Sequence, residues 1–312
     1  MKTAIVGFGS IGQRHYKNLS GLAKNIVVFS KRTDVVLPFQ VRSWRDFYKN
    51  GPYDGIIIAN ETSKHISALK KCMRMTKNIF MEKPLSNNAS GLNDVASGLK
   101  RKKINIWVGY NWHFSKTLLK IKSILRQKKL GRVYYMRVSV GQDLRGWRPG
   151  RDYSKIYSAK KKLGGGVILD LVHDINYPAW LLDDVLIPQI SYVRKISNLK
   201  IDTEDFAESV FIGKKTGAIV SVHQDYLRTQ GKRSLEIAGS KGSLVWDSLS
   251  QEIVLETPKK TTKARVPEER NKMYEKEIKF FLDQIRRGKR FSNISEAIRD
   301  IKNIEWLKKY GR

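Results

Sequence analysis

The sequence contains a single cysteine, no long hydrophobic run and few acidic residues. Cys72 alone cannot form a disulfide within the chain, which excludes a disulfide scaffold and a multi-cysteine metal site and indicates a reducing compartment. No apolar run approaches the roughly 18 residues of a transmembrane helix. The apolar residues near the start end at glycines after a few positions, which is not typical of a signal peptide. We therefore expect a cytoplasmic protein with no membrane partner and no bound metal.

The shortage of acidic residues leaves a large positive charge. The chain has 60 Lys and Arg against 29 Asp and Glu, a formal charge of +31, and such an excess is also found in nucleic-acid-binding proteins. Here the basic residues lie in small clusters along the whole chain, such as residues 100–103 and 286–290, and no DNA-binding motif accompanies them. We expect a generally basic surface that favours anionic substrates, without specific binding of nucleic acid.

Strand and helix patterns alternate through about the first 115 residues. Strands are predicted at residues 3–6 and 26–29, and residues 54–59 are apolar on both faces, as a central parallel strand should be. Helices are predicted between them, for example at residues 11–20 and 92–102. Repeated βα units of this kind predict a Rossmann-type, doubly wound parallel sheet. We assign this α/β domain to residues 1–116.

The pattern changes after residue 116. A largely apolar helix is predicted over residues 168–182, interrupted at Pro178, and from residue 187 to 255 successive strands are joined by glycine-containing turns. Residues 117–312 are therefore predicted to form an α+β domain with a large, mostly antiparallel open sheet that serves substrate binding and oligomerisation. The other predicted elements are a helix at 116–128, a strand at 133–140, a polar, aromatic loop at 141–166, and closing helices at 272–286 and 295–309.

A GxGxxG motif lies between the first predicted strand and the first predicted helix. In such a motif the first glycine makes a tight turn, the second lets a pyrophosphate approach the backbone, and the third lets helix and strand pack closely. Glycine-rich turns are common, so a purely structural turn is the alternative, but the position inside a βαβ unit favours dinucleotide binding. The predicted cofactor contacts in this motif are Gly7, Gly9, Ser10, Ile11 and Gly12.

The end of the second predicted strand indicates which dinucleotide is bound. Sites that prefer NAD usually have Asp or Glu there, accepting hydrogen bonds from the ribose 2′-hydroxyl. This chain has Ser30, Lys31 and Arg32, which donate to a phosphate and neutralise it, whereas Asp34 lies slightly further along. We predict that NADP(H) is favoured over NAD(H). The alternative is that these are simply two more basic residues in a basic protein.

Two polar motifs supply candidate catalytic residues. Glu82-Lys83-Pro84 ends a predicted strand, at the sheet edge where ligands bind, and a lysine there can polarise a carbonyl or assist deprotonation of an alcohol. In the second domain, a glycine run precedes Asp170 and His173, whose spacing of three predicts one shared helical face. Histidine is a natural proton relay near neutral pH. The structural alternatives are a solvent-facing lysine, and an Asp that favours the helix dipole with a core histidine behind it.

In this order, these motifs resemble the Gfo/Idh/MocA family of nicotinamide-dependent oxidoreductases over nearly the whole chain. Residues 59–65 match the family's loop near the nicotinamide, and residues 109–114 match the segment where the domains join. The resemblance implies that Lys83 is the catalytic lysine, His173 the proton donor or acceptor, and Asp170 a substrate-binding or assisting group. The resemblance also implies that Asn60, His65 and Glu82 contact the cofactor and that Asn111 contacts the substrate.

The chain departs from the commonest form of this family at a few positions. The Asp and His are three residues apart rather than four, as in a subset of members. Asn176 stands where the family often has Asp, and His113 where it often has Arg. These differences concern the identity of the substrate more than the fold.

The loop before the glycine run holds further candidate substrate contacts. It offers aromatic surfaces for a sugar ring and cations for an acidic or phosphorylated group, although a packed structural loop is the equal alternative. The residues that we select are Trp147, Arg148 and Tyr153.

These observations together predict an NADP(H)-linked oxidoreductase that transfers a hydride between nicotinamide and a hydroxyl or keto carbon of a sugar, nucleotide sugar or polyol. His173 would move the hydroxyl proton, and Lys83 would stabilise the charge on the reacting oxygen. We expect a homo-oligomer, either a dimer or a tetramer. The alternatives are reduction of a non-sugar carbonyl or imine, a non-catalytic dinucleotide-binding regulator of the same fold and, from the charge alone, a nucleic-acid-binding protein.

Overall fold

A computed structural model describes residues 1–35 and 37–311. The chain forms two units: unit 1 contains Met1–Asn111 and Arg270–Ile301, and unit 2 contains Trp112–Glu269 and the C-terminal residues from Lys302 onward. This division differs from the two continuous domains that we predicted at residues 1–116 and 117–312, because a segment near the C-terminus joins the N-terminal residues.

Unit 1 is built on a parallel sheet. Its strands are β1 (Lys2–Val6), β2 (Asn25–Phe29), β3 (Gln40–Val41), β4 (Gly55–Ile58), β5 (Asn78–Met81) and β6 (Asn105–Val108). They lie in the order β3-β2-β1-β4-β5-β6, which is the Rossmann order. From β1 the strands are added first toward one edge of the sheet and then, from β4 onward, toward the other. The predicted doubly wound parallel sheet is therefore confirmed. All residues of β4 are buried, as a strand covered on both faces requires.

Helices connect these strands. They are α1 (Ser10–Ser20), α2 (Trp44–Lys49), α3 (His65–Cys72) and α4 (Leu92–Arg101). The short elements β3 and α2 were not predicted from the sequence. The α2 helix has only six residues, so its pattern is too short to detect, and it is stabilised by the stacking of Trp44 on Phe29, with 4.5 Å between ring centroids.

Two long helices follow near the C-terminus, close to the predicted positions: α8 (Arg270–Arg286) and α9 (Ile294–Tyr310). Apolar residues of α8 enter the core of unit 1, where the Phe281 ring packs edge-on against Phe80 at 5.7 Å. The glycine at position 55 allows this packing, because a Cβ there would lie 2.9 Å from Ile285 Cδ1. The apolar face of α8 is thus the reason that this segment belongs to unit 1.

Unit 2 is built on a large sheet. Its strands are β7 (Val133–Gly141), β8 (Leu186–Arg194), β9 (Phe206–Gly213), β10 (Ile219–Asp225), β11 (Lys232–Gly239), β12 (Gly242–Asp247), β13 (Glu252–Thr257) and β14 (Lys260–Arg265). They lie in the order β14-β13-β12-β11-β7-β10-β9-β8. Among the described strands of unit 2, only the β7–β10 pair is parallel, so the predicted mostly antiparallel sheet is confirmed. In β9, buried and more exposed residues alternate, as in a sheet with one face on the core.

The helices of unit 2 correct one prediction. They are α5 (Lys116–Arg126), α6 (Val167–Asp170) and α7 (His173–Leu182). The predicted interruption at Pro178 is wrong, because Pro178 lies inside α7 and the helix instead breaks at Leu171 and Val172. At this break the Gln224 side chain, from β10, donates to the Leu171 carbonyl at 2.7 Å, while the amide of Ile175 bonds to Val172 rather than to Leu171.

The break changes how the candidate catalytic pair is held. Asp170 is the last residue of α6, and His173 is the first residue of α7. The prediction that they share one helical face is therefore wrong, although both side chains are buried.

Within residues 1–35 and 37–311, no helix is long and apolar enough to span a bilayer.

Candidate active site

The predicted glycine motif forms the turn between β1 and α1. Gly7 has a φ of +101°, and a Cβ at this position would lie 2.6 Å from the backbone nitrogen of Asn60. A Cβ at Gly12 would lie 2.2 Å from the Gly7 carbonyl oxygen. Gly9 is exposed, with open space where a side chain would be, and it takes the N-cap position of α1 just before Ser10. The turn therefore has the open backbone and free helix N-terminus that a dinucleotide pyrophosphate requires.

At the end of β2, Arg32 is held in a defined position. Its guanidinium donates through Nη1 to the carbonyl of Phe8, at 3.0 Å, and forms a two-point ion pair with Asp34, with 2.9 Å between Nε and Oδ1. The Ser30 hydroxyl accepts from the Arg32 amide, at 3.2 Å, and Lys31 is exposed. Arg32 thus connects the end of β2 to the glycine turn. The sequence did not indicate Asp34 as the partner of Arg32, because Asp34 lies beyond the position at which a carboxylate usually binds the ribose.

Glu82 and Lys83 follow β5 directly. The Glu82 side chain is buried, and its Oε1 lies 2.5 Å from Nε2 of His15, a fully buried residue of α1. Lys83 is half-buried, and its amide donates to the other Glu82 oxygen at 3.3 Å. Glu82 therefore contacts α1 in the structure, and its predicted contact with the cofactor stays a prediction.

A second buried carboxyl lies in the same region of unit 1. Glu277, from α8, is completely buried, and its Oε1 accepts a hydrogen bond from Trp107 Nε1 at 2.9 Å. Burial and the nearby charge of Glu82 raise the pKa of Glu277 well above its ordinary value. Sequence reasoning missed His15 and Glu277, since a single polar residue in an amphipathic helix carries no signal of its burial.

We expect Glu277→Gln to stabilise the protein at neutral pH. When folding raises the pKa of a carboxyl, the folded protein loses stability as the pH rises above the pKa of that group in the unfolded chain, about 4.3 for Glu. Each pKa unit of difference corresponds to about 1.4 kcal/mol in the free energy of unfolding. Glutamine keeps an acceptor for Trp107 without a charge. Denaturation measured across pH should show a gain of on the order of 1 kcal/mol or more near pH 8 and almost none near pH 4. The control is Glu275→Gln, on the exposed side of the same helix, and an equal gain at every pH would contradict the explanation.

His65 contacts the residue that follows Lys83 in the sequence. It is buried at the start of α3, and its Nδ1 lies 2.8 Å from the carbonyl oxygen of Pro84 while its Nε2 lies 3.1 Å from that of Asn60. Burial lowers the pKa of His65, so the neutral ring donates through one nitrogen at a time. In the structure His65 lies between two backbone carbonyls and donates to one of them, and the predicted cofactor contacts of Asn60 and His65 stay predictions.

In unit 2, Asp170 has a partner that the sequence did not indicate. The hydroxyl of Tyr226 donates to Asp170 Oδ2 at 2.6 Å, and Tyr226 is completely buried. Burial and the charge of Asp170 raise the pKa of Tyr226 well above its ordinary value, so it stays a donor. Trp147 packs edge-on against the Tyr226 ring, with 5.1 Å between centroids. The predicted substrate loop is thus connected to Asp170 through Tyr226.

His173 is followed by a residue that is firmly anchored. Asp174 is completely buried and receives two hydrogen bonds from Arg233 of β11, at 2.7 and 2.9 Å. The Arg233 guanidinium also lies over the ring of Trp112, at 4.4 Å. This ion pair ties the start of α7 to the sheet and thereby fixes the backbone that carries His173.

Other predicted residues take separate positions. Asn111 is buried in unit 1, Arg148 is half-buried in the loop of unit 2, and the Tyr153 hydroxyl accepts from the amide of Lys200 at 3.3 Å. His113 contacts Asn176 at 2.8 Å, and burial lowers its pKa to about 3, so it is neutral at physiological pH.

Among the residues that the structure describes, no three His, Cys, Asp or Glu side chains are grouped so as to hold a metal ion.

The comparison with protein families gives two matches that together cover most of the chain. Residues 1–110 match the Gfo/Idh/MocA model described as an oxidoreductase family with an NAD-binding Rossmann fold. Residues 118–245 match the Gfo/Idh/MocA C-terminal domain.

Several individual proteins are similar to this chain over nearly its whole length. A myo-inositol 2-dehydrogenase of Thermotoga maritima is 21% identical over 311 residues, covering 92% of this chain and 89% of its own. An oxidoreductase of Agrobacterium radiobacter, solved with NAD+, L-tartaric acid and magnesium, superposes with a TM-score of 0.86 at 16% identity, covering 100% of this chain and 96% of its own. A myo-inositol 2-dehydrogenase of Lactobacillus plantarum gives a TM-score of 0.82 at 16% identity, covering 100% and 97%.

Proposed function

This chain belongs to the Gfo/Idh/MocA family of oxidoreductases, and we propose that a polyol of the inositol type or a related sugar is its substrate. It is an NAD(P)-dependent dehydrogenase that acts on CH–OH groups, in keeping with the inositol dehydrogenases that it resembles. The observation that carries the proposal lies within unit 1, where a turn shaped for a dinucleotide and a half-buried lysine stand at the carboxyl ends of β1 and β5, on the two sides of β4 in the same parallel sheet. That sheet edge is where Rossmann proteins bind their ligands.

The proposed roles of the side chains follow from their chemistry. When bound, the nicotinamide supplies the hydride donor or acceptor. The Lys83 ammonium group stabilises negative charge on the substrate oxygen, and His173 exchanges the hydroxyl proton. Asp170, which accepts from Tyr226, contacts a substrate hydroxyl or assists His173. We further propose that Asn111 and the loop residues Trp147, Arg148 and Tyr153 contact the substrate.

We also propose that NADP(H) is preferred over NAD(H). The support is the position of Arg32, whose guanidinium is already held at the glycine turn by the Phe8 carbonyl. A 2′-phosphate can take the place of Asp34 or join it, because the ion pair with Asp34 is exposed and weak in water. Ser30 and Lys31 add a hydroxyl donor and a second positive charge.

Arg32→Asp is therefore expected to weaken NADPH binding selectively. Loss of a charge-assisted phosphate contact costs on the order of 1.5–3 kcal/mol, or about tenfold or more in affinity, whereas NADH affinity should change little. Fluorescence titration with both cofactors measures this. Lys24→Asp, at an exposed position before β2, gives the same change in net charge and should leave the preference unaltered. Equal affinities of the unmodified protein for NADPH and NADH would contradict the proposal.

The proposal also covers the charge of the substrate, the cellular location and the oligomeric state. The excess of 60 basic over 29 acidic residues supports an anionic or phosphorylated substrate, the single cysteine supports a cytoplasmic location, and we expect a homo-oligomer. Size-exclusion chromatography with light scattering tests the last point.

The function itself is tested by an activity screen. The purified protein is incubated with inositols, sugars, sugar acids and sugar phosphates and with each oxidised cofactor, and formation of the reduced cofactor is followed by absorbance. Turnover of a polyol or sugar is the expected result. Tight cofactor binding without turnover of any compound would instead favour a non-catalytic regulator. A parallel assay supplies NADH or NADPH with carbonyl–amine mixtures, and oxidation of the reduced cofactor in that assay alone would favour an imine reductase.

A further inference from the structure

Two fully buried histidines of unit 1 contact the two residues that flank Lys83 in the sequence. His15 contacts Glu82, the residue before Lys83, at 2.5 Å, and His65 contacts the carbonyl of Pro84, the residue after it, at 2.8 Å. The His15 and His65 side chains are 0% and 1% exposed, so neither ring has a surface from which to reach a ligand directly. Their contacts instead restrain the backbone that carries Lys83.

Both histidines come from segments that are expected to hold the cofactor. His15 lies in α1, the helix that starts at the glycine turn. His65 also contacts the carbonyl of Asn60 at 3.1 Å, and Asn60 packs directly on Gly7, where a Cβ would lie 2.6 Å away. The contacts therefore form a closed ring that runs from the glycine turn through Asn60, His65 and Pro84 to Lys83, and back through Glu82 and His15 to α1. We call the four residues His15, His65, Glu82 and Pro84 the Lys83 frame.

We propose that His15 and His65 are positioning residues that fix Lys83 relative to the bound dinucleotide, acting through Glu82 and Pro84. The proposal rests on the catalytic role of Lys83 given above. A charged group that stabilises a reacting oxygen must be held closely, because a displacement of about 1 Å can cost about 10²-fold in rate. The frame meets this need, since its members are buried, His15 belongs to the helix that begins at the glycine turn, and His65 contacts Asn60, which packs on that turn.

Removal of either histidine is expected to lower turnover without loss of cofactor. His15→Leu and His65→Leu should each reduce kcat by about 10- to 100-fold, with the dissociation constant of the cofactor changed by less than about threefold. His15→Gln places an amide donor near the position of Nε2 and should recover most of the lost turnover. If His15→Leu does not fold, His15→Asn serves instead, because it keeps a buried polar group that is too short to reach Glu82.

A double-mutant cycle separates positioning from general destabilisation. In a Lys83→Ala background, His15→Leu and His65→Leu should have almost no further effect on kcat, since the group that they position is absent. Asn105→Leu is the matched control, because this buried polar residue bonds to Asn78 at the opposite, amino end of the sheet, at 2.8 Å. It should lower stability and leave kcat nearly unchanged. Effects of the histidine variants that multiply fully with Lys83→Ala would overturn the proposal.

A second readout does not depend on the reaction. Acetylation of lysines in the protein without substrate is followed by mass spectrometry, with the exposed Lys24 as the internal reference. The rate at Lys83 should rise relative to Lys24 in His15→Leu and His65→Leu, but not in Asn105→Leu. Unchanged labelling together with unchanged kcat would overturn the proposal. Altered labelling combined with full activity of Lys83→Ala would leave the frame standing and remove the proposed catalytic role of Lys83.

Discussion

Lys83→Ala and His173→Ala are each expected to lower kcat by about 10²–10⁴-fold, the usual loss for one acid–base or charge-stabilising group. Cofactor affinity should stay nearly the same, because we propose that the glycine turn and α1 supply the contacts to the pyrophosphate. We propose that each residue takes part in the reaction, Lys83 by stabilising charge and His173 by exchanging a proton. Steady-state kinetics and cofactor titration of each variant measure both quantities.

The double variant tests whether the two residues act together. If they do, Lys83→Ala combined with His173→Ala should lose much less than the product of the single losses. The pH dependence of kcat should also change in His173→Ala, since histidine is the side chain that exchanges protons most readily near neutral pH. Full activity of His173→Ala with an unaltered pH profile would show that His173 is a core residue, and Asp170 would be tested next.

Breaking the Asp174–Arg233 pair is expected to have the largest effect on stability. Asp174 is completely buried, and it accepts two hydrogen bonds from Arg233. Removal of one partner of a buried ion pair leaves an uncompensated charge and typically costs about 3–5 kcal/mol. Asp174→Ala should therefore lower the free energy of unfolding by about this amount, as measured by chemical denaturation.

The chain offers a control with the same chemistry on its surface. Asp143 and Arg145 also form a two-point ion pair, at 2.7–3.0 Å, but the Arg145 side chain is 65% exposed. Arg145→Ala should cost less than about 1 kcal/mol, because water replaces the lost contacts. Similar losses for Asp174→Ala and Arg145→Ala would show that burial of the first pair has little energetic consequence.

The elements that were predicted correctly are those whose signal is local. The two-residue turn at Ser240 and Lys241, between Gly239 and Gly242, joins β11 to β12 as expected. By contrast, the break at Leu171 was misplaced, because one of the contacts made there comes from a glutamine 53 positions away, whose side chain donates to the Leu171 carbonyl. A proline inside α7 was the stronger local signal and the wrong one.

The sequence by itself determined the order of the longer elements, the glycine turn after β1 and the choice of Lys83 and His173 as candidates. Glycine spacing, apolar period and motif order act through neighbouring residues, so they can be recognised without coordinates. Only the tertiary structure decided that α8 belongs to unit 1, and that buried partners surround the candidate groups. His15 and Glu82 are 67 positions apart, and Trp107 and Glu277 are 170 apart. The reason is physical: a polar side chain is costly to bury unless a partner meets it, and only the folded chain brings such distant partners together.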